Sequence, residues 1–311
     1  MDGYAIGIDI GATNMRVCSI DSNRRLLWSE KHYLDMSSPP DSFLAQIKKI
    51  IMKHKSLSPI SVGIAVAGYV SMKSNKVLKM PNAGIGEFDP SVSIEEFLGV
   101  KPWIINDAVA AVIPEFLVEN GMKEGNISDL VFITLSTGIG GGILLNGRIV
   151  AGKEGNAHEV GHIVVDYEGE MECACGGRGH WEAYCSGANL PRFAIKTAGQ
   201  VKSLRGNNKL DANKIFSLAK KGDKAVAGAV NKAIKINAAG FASVVNEFWP
   251  DKLVIGGSLA LSQWESYVVP SLEASKKLVS HDIPQYRKSF YGDIVSSYGA
   301  AVFSLSPYTF L

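Results

Sequence analysis

One design occurs twice in this chain, and it limits the folds open to it. Residues 4–9 read as a buried strand, Gly11-Ala12-Thr13 as a tight turn and residues 15–20 as the returning strand. Residues 131–135, the run Ser136-Thr137-Gly138-Ile139-Gly140-Gly141-Gly142 and residues 143–145 repeat the plan. Such a repeat predicts two similar α/β lobes. Between the copies, Asp41 caps a helix with Leu44, Ile47, Ile50 and Ile51 on one face, and residues 61–66 form a buried strand. Ser93 and Glu96 make a capping box for a short helix, and residues 103–105 form another strand. A helix follows over 108–118, which Pro114 should kink or restart. Further on, Asp211 caps a helix to about residue 220, a long helix spans 225–248, a strand covers 252–255 and a last helix 299–305. Residues 200–210 and 275–293 read as loop-rich.

A glycine turn between two strands lets successive backbone N–H groups point into one concavity, a shape that binds phosphate oxygens. Thr13, Ser136 and Thr137 add hydroxyl donors, and Asp9 closes its strand where a carboxylate could hold magnesium, usually through water. Gly256-Gly257-Ser258 after a third strand would let a flat adenine lie against the backbone. A single such turn is more often structural than functional. Neither a GxxxxGK[ST] loop nor a strand-led GxGxxG with its acidic partner is present.

Asn106-Asp107 ends one buried strand and opens a helix, the carboxyl end of a strand where α/β sheets bind ligands. Simple helix capping explains the pair equally well. In a functional role, Asp107 accepts a proton from an attacking hydroxyl, and the helix N-terminus favours its charged form. Phosphoryl transfer asks little more of such a base than aim.

The chemistry is most concentrated in residues 159–182. His162, Cys173, Cys175 and His180 offer a Cys2His2 donor set of the kind zinc prefers. Glu159 and Glu182 flank it and suit hydrogen-bond acceptance from adjacent hydroxyls, as on a polyol. A purely structural zinc is the competing reading, and it leaves the two glutamates unexplained.

A chain of 311 residues allows one large or two ordinary domains. A net charge of +2 makes no broad case for nucleic acid or a membrane surface. No apolar run reaches the roughly 18 residues that span a bilayer. Met1-Asp2-Gly3 runs straight into the first strand, which leaves no room for a signal peptide. Three of the four cysteines lie between residues 173 and 185, a pattern for an intracellular metal site rather than a disulfide framework. A soluble cytoplasmic protein is expected.

Taken together, Asp9-Ile10-Gly11-Ala12-Thr13, Asn106-Asp107, the 135–142 run, Glu159-x-Gly-His162 with Cys-x-Cys-Gly-x-x-Gly, and Gly256-Gly257 resemble the ROK family across essentially the whole chain. The resemblance implies a two-lobed actin/hexokinase-like (ribonuclease H-like) α/β fold, each lobe a mixed sheet flanked by helices. It places residues 1–115 with 297–311 in a smaller lobe and 116–296 in a larger one carrying the zinc loop. It implies a kinase that moves the γ-phosphate of ATP to the 6-hydroxyl of a hexose, with Mg²⁺ and a structural Zn²⁺. The hexose would be glucose, N-acetylmannosamine or N-acetylglucosamine. By matching position, Asp107 is the base, and Gly68, Asn82, Asn106, Asp107, Glu159, His162 and Glu182 meet the sugar. Asp9, Gly11, Ala12, Thr13, Asn14, Thr137, Gly138, Gly256 and Gly257 bind the nucleotide, and His162, Cys173, Cys175 and His180 hold the metal. A homodimer or homotetramer is implied.

The chain departs from the pattern at three places. His180 stands where a third cysteine is usual, His158 where a small residue is usual, and Ala12 where the second glycine is usual. The family also holds sugar-responsive repressors, so a non-catalytic sugar sensor is the alternative. Those need a helix-turn-helix ahead of the first phosphate motif, which here begins at residue 9.

Overall fold

The computed structural model describes residues 3–11, 13–34, 40–55, 58–121, 126–199, 204 and 210–311. Ala12 lies outside them, as do the side chains of Asp41 and Asn82. The repeated strand–turn–strand forms the middle of two five-stranded sheets with the same plan. In the first, β1 (Tyr4–Ile10), β2 (Asn14–Asp21), β3 (Leu26–Tyr33), β4 (Ser61–Val66) and β7 (Trp103–Asn106) lie in the order β3-β2-β1-β4-β7. β5 (Tyr69–Ser71) and β6 (Lys76–Lys79) form a separate hairpin. In the second, β8 (Leu130–Leu135), β9 (Ile139–Leu145), β10 (Arg148–Ile149), β11 (Lys252–Gly256) and β12 (Gln285–Lys288) run β10-β9-β8-β11-β12. Position for position the two orders correspond. β1 pairs antiparallel with β2 and parallel with β4, and β4 pairs parallel with β7.

The chain divides into two compact units. Met1–Phe132, Gly142–His158 and Phe290–Leu311 make the first, Ile133–Gly141 and Glu159–Ser289 the second. In the first, β1 is buried along nearly its whole length, because α1 (Pro40–Lys53) and α10 (Val295–Leu305) contribute apolar side chains around it. Such a strand reads as a continuous apolar run rather than an alternation. Ile6, Ile8, Ile10, Val17, Ile47, Ile51, Val62 and Ile64 are fully buried there, each worth roughly 1.5–3 kcal/mol.

Three helices differ from the sequence expectation, the last of them α10, which starts at Val295 rather than near residue 299. α2 spans Pro90–Leu98, and Asp89 caps it by accepting the Ser91 N–H at 2.9 Å, so Ser93 lies inside the helix rather than at its cap. Pro90 at the first helical position fits that earlier start. α3 runs unbroken from Asp107 to Gly121, so Pro114 neither restarts nor ends it. Proline leaves the Ala110 carbonyl without its usual helical donor. Gly299 of α10 packs against that oxygen: an added Cβ there would sit 1.9 Å from it. A glycine thus lets the two helices close over the site of the missing bond.

In the second unit, α4 (Trp181–Cys185), α5 (Leu190–Ala198), α6 (Ala212–Lys220), α7 (Lys224–Phe248), α8 (Ser258–Ser262) and α9 (Val269–Ser275) surround a core of Trp181, Tyr184, Phe193, Phe241 and Tyr267. Asp211 caps α6 as expected, accepting the Lys214 N–H at 2.8 Å. β12 lies within the stretch expected to be loop-rich and pairs parallel with β11. α11 (Pro307–Phe310) ends the chain. Among the described residues no helix is long and apolar enough to cross a membrane.

Candidate metal centre and nucleotide turns

Residues 163–166 run antiparallel to 178–181, which brings the two ends of the cysteine loop together. Trp181 N–H donates to Ile163 O at 2.9 Å, Val165 N–H to Gly179 O at 2.9 Å, and Cys173 N–H to Gly177 O at 2.8 Å. The Tyr184 hydroxyl donates to Asp166 and accepts the Met171 N–H at 2.9 Å. A short 3₁₀ turn, Val160–His162, carries His162 in from the other side.

These bonds converge four donor atoms. One ligand atom each from His162, Cys173, Cys175 and His180 lies within 4.8 Å of all the others. Cys173 Sγ is 3.8 Å from His162 Nδ1, and Cys175 Sγ is 3.3 Å from His180 Nδ1. With Zn–S near 2.3 Å and Zn–N near 2.0–2.1 Å, a tetrahedral site would set such S···N pairs about 3.6 Å apart. The observed pairs bracket that figure, so the donor set fits zinc. Burial pushes the Cys173 thiol up to about 12. A thiol held that high stays protonated at neutral pH unless a cation takes the proton's place.

The two glutamates stand against this cluster. His162 Nε2 faces Glu159 Oε2 at 3.4 Å, longer than an ordinary hydrogen bond, so a hydroxyl can meet both groups there. Glu182 is 8% exposed, and its Oε2 accepts the Ile139 N–H at 2.8 Å. Burial, and next the charge of Glu182, raises Glu159 to about 7. Burial also raises Glu182. Two acidic side chains are thus held partly dry beside a donor cluster, where hydroxyl donors would replace lost water.

Elsewhere in the same unit two glycine turns meet. Thr137 and Gly138 lie between β8 and β9, Gly256 ends β11, and Gly257 joins it to α8. Ser136 Oγ and Ser258 Oγ are 3.0 Å apart. Gly257 has φ +91, and an added Cβ would lie 2.3 Å from the Leu135 carbonyl oxygen. Only glycine suits that conformation and contact. An open cavity of about 760 Å³, lined by Phe216, Ser217, Leu261, Gln263, Trp264 and Lys288, among others, is a feature sequence reasoning missed. Its walls come from α6, α7, α8 and β12, so no local motif marks it.

The first unit holds the other expected positions. Asp9 is the next-to-last residue of β1, 5% exposed, and its Oδ2 pairs with Arg16 Nη1 at 3.1 Å. Burial, opposed by Arg16, raises Asp9 to about 6. One carboxylate oxygen is committed to Arg16, which fits a magnesium held through water better than one held directly. Gly11 and Thr13 belong to the turn before β2, and Asn14 opens that strand; the Gly11 N–H donates to Asn14 O at 3.0 Å. Asn106, not Asp107, caps α3: its Oδ1 accepts the Ala108 and Val109 N–H groups at 2.8 and 3.2 Å. Asn106 Nδ2 donates to Gly68 O at 3.1 Å, joining two expected positions and leaving one amide hydrogen of Nδ2 for a ligand. Asp107, half-buried, is the first residue of α3. Asn82 lies in the 3₁₀ turn Pro81–Ala83. His158 is 2% exposed, and burial pushes its imidazole down to about 4, so it is neutral at pH 7.

The sequence pattern of the ROK family matches residues 5–304. A glucokinase of Pyrobaculum calidifontis is 31% identical over 300 residues, 95% of this chain and 93% of that one. A xylose repressor of Bacillus spizizenii is 27% identical, over 93% of this chain and 72% of its own. An N-acetylmannosamine kinase of Citrobacter koseri is 29% identical, over 83% of this chain and 84% of its own. Among solved structures, a ROK family glucokinase from Streptomyces griseus, in complex with glucose and AMPPNP, superposes with a TM-score of 0.80. It is 26% identical, and the match covers 97% of this chain and 99% of that one.

Proposed function

The chain belongs to the ROK family, and on that premise we propose that it is an ATP-dependent hexose kinase. It moves the γ-phosphate of ATP to the 6-hydroxyl of glucose or of an N-acetylhexosamine, N-acetylmannosamine or N-acetylglucosamine. The observation that carries this reading is the carboxylate pair, buried Glu182 and half-buried Glu159, set beside four converging metal donors. Adjacent sugar hydroxyls are the ligand class that such acceptors suit.

In this reading Glu159, His162 and Glu182 hold the hydroxyls, Asn106 gives its remaining amide hydrogen to another, and Gly68 and Asn82 complete the set. Asp107 takes the proton of the 6-hydroxyl as that oxygen bonds to the γ-phosphorus and the bond to the β-phosphate bridging oxygen breaks, releasing ADP. Gly11, Ala12, Thr13, Asn14, Thr137 and Gly138 present N–H and hydroxyl groups to the phosphates. Gly256 and Gly257 face the nucleoside, whose adenine takes the cavity beside Leu261 and Trp264. Asp9 would hold magnesium through water, which neutralises phosphate charge. His162, Cys173, Cys175 and His180 would hold zinc, which would supply orientation of the His162 ring. The protein is taken as a cytoplasmic homodimer or homotetramer that binds neither nucleic acid nor membrane.

The xylose repressor relative favours a second reading, a sugar-responsive sensor without turnover. An ADP-release assay across hexoses, with and without the acetamido group, separates them. The kinase reading expects turnover in the wild type and a loss on the order of 100-fold or more in Asp107→Asn, with sugar affinity kept. Sugar binding with no turnover in the wild type establishes the sensor.

A further inference from the structure

Trp181 stands between two residues of the proposed sugar site. His180, a metal donor, precedes it and Glu182, a sugar-binding carboxylate, follows it. All three lie at the start of α4, where successive side chains point in fixed, different directions, so whatever holds the indole also aims its neighbours.

The indole is held on three sides. Trp181 is fully buried, and its Nε1 donates to Asn237 Oδ1 at 2.8 Å. An added Cβ on Gly240 would lie 2.2 Å from two carbons of the ring, so the ring occupies the space a side chain would fill. The Phe241 ring meets it edge-on, with centroids 5.3 Å apart. Asn237, Gly240 and Phe241 are spaced i, i+3 and i+4 on one face of α7, so a single turn of helix forms the slot.

Asn237 is 0% exposed, an expensive place for an amide. Both its ends are used: Oδ1 by the indole, Nδ2 by Ser271 Oγ at 3.0 Å, and Ser271 in turn donates to Tyr267 O at 2.7 Å. An apolar residue would fill the same volume without that cost. The amide adds a choice of orientation, because an indole rotated in its slot would leave a buried N–H and a buried carbonyl both unpaired.

We propose that Asn237 is a positioning residue for Glu182 and His180, acting through the Trp181 indole N–H. The proposal rests on the hexose-kinase reading and adds to it a residue 56 positions from the motif it serves.

Trp181→Phe removes the N–H and keeps a ring, Asn237→Leu removes the amide, and the double variant tests their coupling. The hexose KM should rise on the order of five-fold in each single variant and no further in the double, with the ATP KM unchanged. In the cobalt-substituted protein, the visible ligand-field bands should shift in both single variants, reporting displacement of His180. The proposal is overturned if the variants lose thermal stability while hexose KM and cobalt bands stay as in the wild type. Additive effects in the double variant overturn it too. Should Asn237→Leu fail to fold, Trp181→Phe carries the test alone. If the wild type phosphorylates no hexose, the kinase reading fails, and the cobalt spectrum, which needs no turnover, decides the positioning role.

Discussion

Adding one methyl group should have opposite effects at two helical glycines. In Gly299→Ala, the new Cβ would lie 1.9 Å from the Ala110 carbonyl oxygen and 3.1 Å from Pro114 Cδ, whereas real Cβ atoms stay beyond 3.0 Å. α10 must therefore back away from α3 by about an ångström or more, at an overpacking cost of about 1–3 kcal/mol. Alanine returns roughly 1 kcal/mol of helix propensity. A clash this deep against backbone falls in the upper part of the overpacking range, about 2–3 kcal/mol, so the net loss should be about 1–2 kcal/mol. At Gly228, in α7, an added Cβ meets nothing within 4 Å, so Gly228→Ala should gain about 0.5–1 kcal/mol. Differential scanning calorimetry reads both: a midpoint about 2–5 °C lower for Gly299→Ala and slightly higher for Gly228→Ala. A Gly299→Ala protein at least as stable as the wild type would refute the packing of α10 on Ala110.

Two further tests address local structure. Asp89→Ala should destabilise by about 1 kcal/mol in urea unfolding while Ser93→Ala changes little, because Asp89 caps α2. Hydrogen bonds from Lys53, and then from His32 and His54, hold Glu30 down to about 2. A depressed carboxylate stabilises the fold above its ordinary value of 4.5 and loses that contribution as the pH falls toward 2. Wild type should therefore exceed Glu30→Gln in stability at pH 7, with the gap closing below about pH 4.5 in acid titrations.

Features whose signal is local were legible in the sequence. Buried apolar strands around glycine turns marked β1–β2 and β8–β9, helical spacing marked α7, and ligand types marked His162, Cys173, Cys175 and His180. What escaped depends on partners far along the chain. Gln285–Lys288 is a polar, partly exposed strand at the edge of its sheet and shows no apolar pattern. Asn106 and Asp107 are both good capping residues, and only the backbone path shows that Asn106 takes that role. Pro114 sits in an unbroken helix, and the carbonyl its ring leaves without a donor lies against Gly299, 185 residues later. The Leu261–Trp264 cavity and the Trp181 slot are assembled from separate helices, and nothing adjacent in sequence announces either.

Isothermal titration of a phosphorylatable hexose, before and after chelation and with zinc quantified in both samples, tests the metal-ordered sugar site most directly. The account predicts close to one zinc per chain as purified, hexose affinity at least about ten-fold weaker once it is removed, and recovery when zinc is returned. A protein purified without metal, or one that binds hexose equally well before and after chelation, would contradict it.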